Sequence, residues 1–240
     1  MPERAAQLLL ALVFLTRVPL AHLLPARRLR LSGSAWAFPI VGAAVGGLAA
    51  LPLLWSGPPL LMAVLSVALS VWLTGALHED ALADLADAAG GRDAESRLAI
   101  MRDSRIGSFG TMTLLLVTAA RIASLSVLGP WHLIAASAGG RAGIVLAMAR
   151  LAPARRNGLG RDAGRPGTRS VAAAGLIALL LLFPAGPAAW AALAAGLTAS
   201  LLVMRRARIW LGGQTGDVLG ATSVLTETAM LVAFATFGAR

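Results

Sequence analysis

No cysteine occurs anywhere in the 240 residues, which excludes disulfides, thiolate metal sites and thiol catalysis. Lysine is absent as well: all 21 cationic residues are arginine, a bias with no mechanism attached to it. Charge of either sign is scarce, at 13% of residues against about a quarter in an ordinary soluble domain. Histidine is confined to positions 22, 78 and 132, too far apart in sequence to make a spaced metal motif. What fills the chain is apolar: 58% of residues are hydrophobic and the mean hydropathy is +0.77. Such a chain would aggregate in water, so it reads as a multi-pass membrane protein. The formal charge of +10 could suggest a nucleic-acid partner. Arginines grouped in short loops between apolar spans are instead the ordinary topology signal, and no nucleic-acid binding is expected.

At about 20 residues per crossing, seven stretches are expected to span the bilayer. They are 36–55, 58–77, 109–128, 131–150, 171–183, 188–204 and 218–237. Proline and glycine punctuate the tight connections at 56–59, 129–130 and 184–187. The earlier apolar run, 5–15, is short, is followed at once by Thr16-Arg17 and lacks a small-residue cleavage site. It reads as a retained interfacial or re-entrant segment. Charge alternates from loop to loop. Arg27, Arg28 and Arg30, the segment 78–108, the five arginines of 151–170, and Arg205, Arg206 and Arg208 all fall on one side. Positive loops stay in the cytoplasm, so that side is assigned as cytoplasmic and the C-terminus as outside. The expected fold is an all-α, polytopic membrane helix bundle, with a cytoplasmic acidic helix, forming a single domain over 1–240.

The most informative segment is His78-Glu79-Asp80-Ala81-Leu82-Ala83-Asp84-Leu85-Ala86-Asp87. In a helix, Asp80, Asp84 and Asp87 fall at i, i+4 and i+7 and share a face. Oxygen ligands in that arrangement suit a hard cation such as Mg²⁺ and hence phosphate chemistry; the alternative is a solvated acidic helix end. Gly90-Gly91 should stop this helix and Asp93 should cap the next. That helix leads into Arg102-Asp103-Ser104-Arg105-Ile106-Gly107, where arginine forks match phosphate oxygens or simply anchor the topology. The basic run 153–161, with Arg155, is either a topology determinant or a cover over a diphosphate. Gly212-Gly213-Gln214-Thr215-Gly216-Asp217 could hold an anion or a metal, or could be a connector with Asp217 as helix cap. Arg121, Arg141 and Glu227 sit mid-span and must face the bundle interior, either paired together or holding a polyanion. His78 is either a proton acceptor or a structural histidine at a helix boundary.

Taken together these residues resemble the cobalamin synthase family, the adenosylcobinamide-GDP ribazoletransferases. The likeness runs through Phe14-Leu15-Thr16-Arg17-Val18-Pro19, Phe38-Pro39-Ile40-Val41-Gly42, and Leu73 to Asp80. It continues through Ala83-Asp84, Ala86-Asp87, Met101 to Gly107, Gly212-Gly213 and Thr215-Gly216-Asp217. Family members usually carry glycine where Ala81 and Ala88 stand. The resemblance implies transfer of the phosphocobinamide moiety of adenosylcobinamide-GDP to α-ribazole or its 5′-phosphate, with release of GMP, at a bacterial inner membrane. It implies Mg²⁺ held by Asp80, Asp84 and Asp87 with Glu79 and Asp217. It implies catalytic roles for Asp84, Asp87, Asp103 and His78. Substrate contacts are expected from Arg17, Arg102, Ser104, Arg105, Gly107, Arg141, Arg155 and Thr215. Partners are the two substrates and the lipid bilayer; self-association or association with other corrinoid-assembly enzymes fits the same reading. A CDP-alcohol-type phosphotransferase and a transporter are the competing readings.

Overall fold

A computed structural model describes the chain apart from residues 27, 28, 156, 157, 239 and 240. Arg27, Arg28, Arg156 and Asn157, which enter the charge and basic-loop readings, therefore lie outside the described residues. The helices in order are α1 (Glu3–Leu15), α2 (Leu31–Ser34), α3 (Phe38–Ala49), α4 (Pro59–Thr74), α5 (Leu77–Asp87) and α6 (Ala94–Ile100). They continue with α7 (Ser108–Leu125), α8 (Pro130–Arg150), α9 (Leu159–Asp162), α10 (Thr168–Leu182), α11 (Ala189–Leu211) and α12 (Gly216–Gly238). Among the described residues the only strand-like pairing is one isolated bridge, Pro153 to Gln214.

Among the described residues, five helical segments are long and apolar enough to cross a membrane: Leu31–Ala49, Ser108–Leu125, Pro130–Arg150, Thr168–Ala185 and Gly216–Gly238. This makes the protein an all-helical, multi-pass membrane protein. The expected stretch 58–77 is divided, because α4 and α5 meet at an 89° bend and would count as a sixth span only together. The sixth expected span, 188–204, falls in α11, which at 23 residues is about 35 Å long but carries Arg205, Arg206 and Arg208 near its end. α1 has 13 residues, about 20 Å, and docks on the bundle. Trp36 Nε1 donates to Gln7 Oε1 at 2.8 Å, Phe14 stacks on Phe38, and Arg17 N donates to Leu73 O at 2.9 Å.

α8 and α12 form the centre of the bundle and are its most buried spans, whereas α7 and α10 lie at the periphery. Small residues let the central helices approach closely. A methyl on Gly42 or Gly46 of α3 would run into the carbonyls of Ser137 or Leu133 on α8, so neither tolerates a larger side chain. Such backbone proximity stands in for the hydrophobic drive that lipid surroundings remove.

The α4–α5 bend is made by two consecutive left-handed residues, Gly75 (φ 65°) and Ala76 (φ 57°). It turns α5 through 89° from the line of α4, against α7 and α12. Glycine is needed at 75 because the Arg17 side chain also lies where a Cβ would go. Ala76 is the strained member, since a left-handed L-residue costs about 1–2 kcal/mol. Ala76→Gly should therefore raise stability by up to about 1 kcal/mol and Gly75→Ala should lower it by at least that much. Thermal unfolding of the two variants in one detergent checks this; a lower melting temperature for Ala76→Gly would contradict the bend.

Candidate active site

The exposed face of α5 carries the acids because its other face is buried. His78, Ala81, Leu82, Ala83 and Leu85 point inward, and Ala81 fits directly against Gly220 of α12, where any Cβ would collide with it. The alanine that stands where the resemblance implies glycine thus fits because the facing residue has no side chain. The helical spacing leaves Asp80 exposed and Asp84 half-buried.

A second wall comes from two loops that interlock. Gln214 N donates to Ala152 O at 2.7 Å, Ala154 N to Gln214 O at 2.9 Å, and Gln214 Nε2 to Gly160 O at 3.0 Å. Gly213 lies flush against the Ala152 carbonyl, leaving no room for a side chain. Thr215 caps α12: its Oγ1 accepts from Val218 N at 3.2 Å. Asp217, expected as the possible cap, sits in the first turn instead and accepts from Thr215 Oγ1 at 3.2 Å. The clasp brings Asp217 into the field of Asp84 and Asp80 on α5. It also sets Arg155 beside Arg102, with Asp217 and Asp84 opposite, while Arg155 Nη2 donates to Leu98 O at 3.1 Å on α6. Asp93 caps α6 as expected, accepting from Ser96 N at 2.8 Å.

The electrostatics of this cluster are unrelieved. Burial first, then Asp217, Asp80 and Asp87, together push the Asp84 carboxyl up to about 6 against the pull of Arg155. Carboxylates held together against their own repulsion, and reachable from solvent, are the donor set of a hard cation. Asp80, Asp84 and Asp217 fit that chemistry. As the side chains stand, no three His, Asp or Glu residues among those described are close enough to coordinate one ion. The arginines Arg102 and Arg155 supply the matching forks for phosphate oxygens.

The other expected site residues are placed differently. Asp87 has both oxygens engaged by the start of α7, accepting from Gly107 N at 2.7 Å and Gly110 N at 2.8 Å. It docks that helix N-terminus, and Gly107 and Gly110 are the glycines its carboxylate needs to come so close. Glu79 turns away from Asp80 into the bundle, where Arg121 Nη1 donates to it at 2.8 Å. Arg141 is buried on Glu227 and does not face the acidic cluster. Asp103 pairs with Arg105 on the exposed surface; the Arg105 side-chain and backbone donors hold its carboxyl down at about 2, an unfavourable value for a proton acceptor. His78 is buried with its Nε2 unpartnered; burial, then Arg141 and Arg121, lower it well below the usual histidine range, so the ring is neutral. It lines, with Asp80 and Asp217, a cavity of about 140 Å³ whose far wall is Phe14 and Leu15 of α1. Ser104 and Arg17 are exposed, and Arg17 crosses the bend at Gly75.

Beneath the site lies a buried ion cluster whose full membership the mid-span charges do not reveal. Arg121 Nη2 donates to Glu227 Oε1 at 2.7 Å and to Ser70 Oγ at 3.2 Å, and Arg141 Nη1 completes the pairing on Glu227 Oε2. Two arginines and two glutamates balance. Counting charges would have exposed the gap: Arg121, Arg141 and Glu227 alone leave one positive charge in the membrane, and Glu79 is the further acid that meets it. Removing one partner of a buried pair costs about 3–5 kcal/mol. Glu227→Ala should therefore unfold the protein or cut its denaturation midpoint sharply, and Glu79→Gln should cost less because Glu79 meets one arginine where Glu227 meets two. Equal effects of the two, measured as loss of the monodisperse species on heating, would contradict this ranking.

This geometry coincides with a likeness to known proteins. A family model described as Cobalamin-5-phosphate synthase matches residues 7–235. The adenosylcobinamide-GDP ribazoletransferase of Bradyrhizobium diazoefficiens is 40% identical over 245 residues, covering 97% of this chain and 94% of its own. That of Rhizobium meliloti is 45% identical over 192 residues, 73% of each chain, and that of Xanthobacter autotrophicus 39% over 271 residues, 99% of each. No solved structure shows a significant match. Since the match reaches from α1 to the last turns of α12 and includes both walls of the acidic cluster, the chain belongs to the cobalamin-5-phosphate synthase family.

Proposed function

We propose that the protein transfers the phosphocobinamide moiety of adenosylcobinamide-GDP to α-ribazole or α-ribazole 5′-phosphate, giving adenosylcobalamin or its 5′-phosphate and GMP. The observation that carries this reading is the meeting of Asp80, Asp84 and Asp217 with Arg102 and Arg155 at one end of a membrane bundle. Full-length relatives named adenosylcobinamide-GDP ribazoletransferases support it. The acceptor hydroxyl oxygen forms a bond to the corrinoid-bearing phosphorus, the P–O bond of the diphosphate bridge breaks, and GMP leaves with the bridging oxygen. Arg102 and Arg155 bind the diphosphate and hold it over the acids. A magnesium ion would be held by Asp80, Asp84 and Asp217, and would neutralise charge on the phosphate oxygens. The acceptor's proton needs a carboxylate matched to neutral pH, which Asp103, held down at about 2, is not.

The chain works as one integral-membrane transferase domain. Its arginine-rich end, which carries the site, faces the cytoplasm of the bacterial inner membrane, in keeping with the retention of positive loops and with water-soluble nucleotide substrates.

Purified protein in detergent, supplied with adenosylcobinamide-GDP, α-ribazole and Mg²⁺, should release GMP. Asp84→Asn should lower the rate by about a hundredfold or more while leaving the protein folded. Absence of GMP from folded wild-type protein, or full activity of the variant, overturns the reading. Chelation with EDTA should abolish turnover and Mg²⁺ should restore it. A further expectation comes from Asp84 itself. Its carboxyl is raised to about 6, so it is protonated below that pH and loses the charge a cation needs. Mg²⁺ affinity of the substrate-free protein should weaken as pH falls through about 6, and calorimetric titration between about pH 5 and 8 tests this. Affinity that does not change across that range would remove Asp84 from the metal site.

A further inference from the structure

The far side of the bundle carries a feature that the transfer reaction does not use. α10 and α11 each pack on α8 but scarcely on each other, which leaves a groove between them. Its volume is about 310 Å³, and its walls include Gly143, Leu146, Gly175, Leu179 and Leu197. The polar groups in it are satisfied: Ser200 and Thr226 share a hydrogen bond of 2.7 Å. Gly175 opens the groove further, because a Cβ there would meet nothing within 4 Å. One helical turn beyond, from Leu146 to Arg150 on α8 and from Leu197 to Leu201 on α11, lies a second hollow of about 390 Å³. It is lined by Arg150, Arg205 and Arg208 together with Leu201, Met204 and Ile209.

The three guanidinium groups are exposed, and among the described residues none is paired with a carboxylate. Arg208 spends one N–H on the Arg150 carbonyl at 2.9 Å, which draws the ends of α8 and α11 together and leaves its other donors outward. Arg206, by contrast, lies over the Trp210 ring and does not line the hollow. From Gly139 to Arg150 the groove and hollow cover about 16 Å of α8. That is close to half the thickness of a bilayer's hydrocarbon core, the depth of one leaflet. An apolar slot of that depth ending in unpaired arginines matches a molecule with a hydrocarbon tail and an anionic head.

We propose that this groove is a binding site for one anionic phospholipid, with an acyl chain between α10 and α11 and its phosphate on Arg150, Arg205 and Arg208. The site does not depend on the proposed transferase activity. Phosphate-bearing head groups gain charge-assisted forks from the arginines, while a zwitterionic lipid brings its own cation to the same place. The acyl chain fills the space that Gly175 leaves open.

The test is native mass spectrometry of the full chain, delipidated in detergent and offered equal phosphatidylglycerol and phosphatidylethanolamine. The wild type should retain one phosphatidylglycerol about tenfold more than phosphatidylethanolamine. The variant Arg150→Gln/Arg205→Gln/Arg208→Gln should lose that preference, and Gly175→Leu should retain neither lipid, with circular dichroism confirming helicity for both. Equal retention of the two lipids by the wild type overturns the proposal, as does a preference unchanged in the triple variant. A lipid-free dimer would overturn it too, by giving the groove to a second copy of the chain.

Discussion

Everything at the site end depends on the pairing of Arg121 and Arg141 with Glu227 and Glu79 inside the bundle. Charges cannot remain in the hydrocarbon region unless each finds a partner, and here two helices supply the cations while two supply the anions. Glu227 lies on the central helix α12, Arg141 on the central helix α8, Arg121 on α7 and Glu79 on the acidic helix α5. The cluster therefore pins four helices at one point. Because Glu79 is adjacent to Asp80, it also sets the rotation of α5 about its axis. Once Glu79 faces inward, the helical period requires Asp80 and Asp84 to face outward together.

A second constraint fixes what those aspartates face. The clasp between residues 152–154 and 213–214 brings together the loop after α8 and the loop before α12, which are far apart in sequence. It carries Asp217 and Arg155 to the acids from the opposite side. The result places negative and positive groups in one small region: carboxylates that repel each other, with arginines above them. Asp87 links this region to α7 by accepting two backbone N–H bonds at that helix's start. The clasp and the Asp87 contacts thus hold the region through hydrogen bonds that do not involve Asp80, Asp84 or Arg102. Deeper in the bundle, Arg121 and Arg141 are neutralised by Glu227 and Glu79.

Much of this is legible in the order of the residues. Long apolar stretches with proline and glycine at their joints mark the helices, and Asp93 is recognisable as a cap from its place after Gly90-Gly91. The grouping of Asp80, Asp84 and Asp87 on one face follows from the 3.6-residue period alone. The division of labour within that face does not. Asp87 looks equivalent to its neighbours until Gly107 and Gly110 are seen against it, and Glu79 looks like a ligand until Arg121 claims it. Both outcomes depend on residues twenty or more positions away, for which local periodicity carries no information. The bend at Gly75-Ala76 escapes for a different reason. An apolar run continuous to Leu77 reads as one span, and only Gly75 hints at a turn, while alanine at a left-handed angle gives no signal at all.

By itself, then, the chain determined its class, its helical make-up and the gathering of its charges in alternate loops, because hydropathy and period are properties of neighbouring residues. The tertiary structure alone decided which acids face the site and which are used to hold it together. That choice turns on balancing buried charge across four helices and on one clasp between distant loops, and neither exists until the chain has packed.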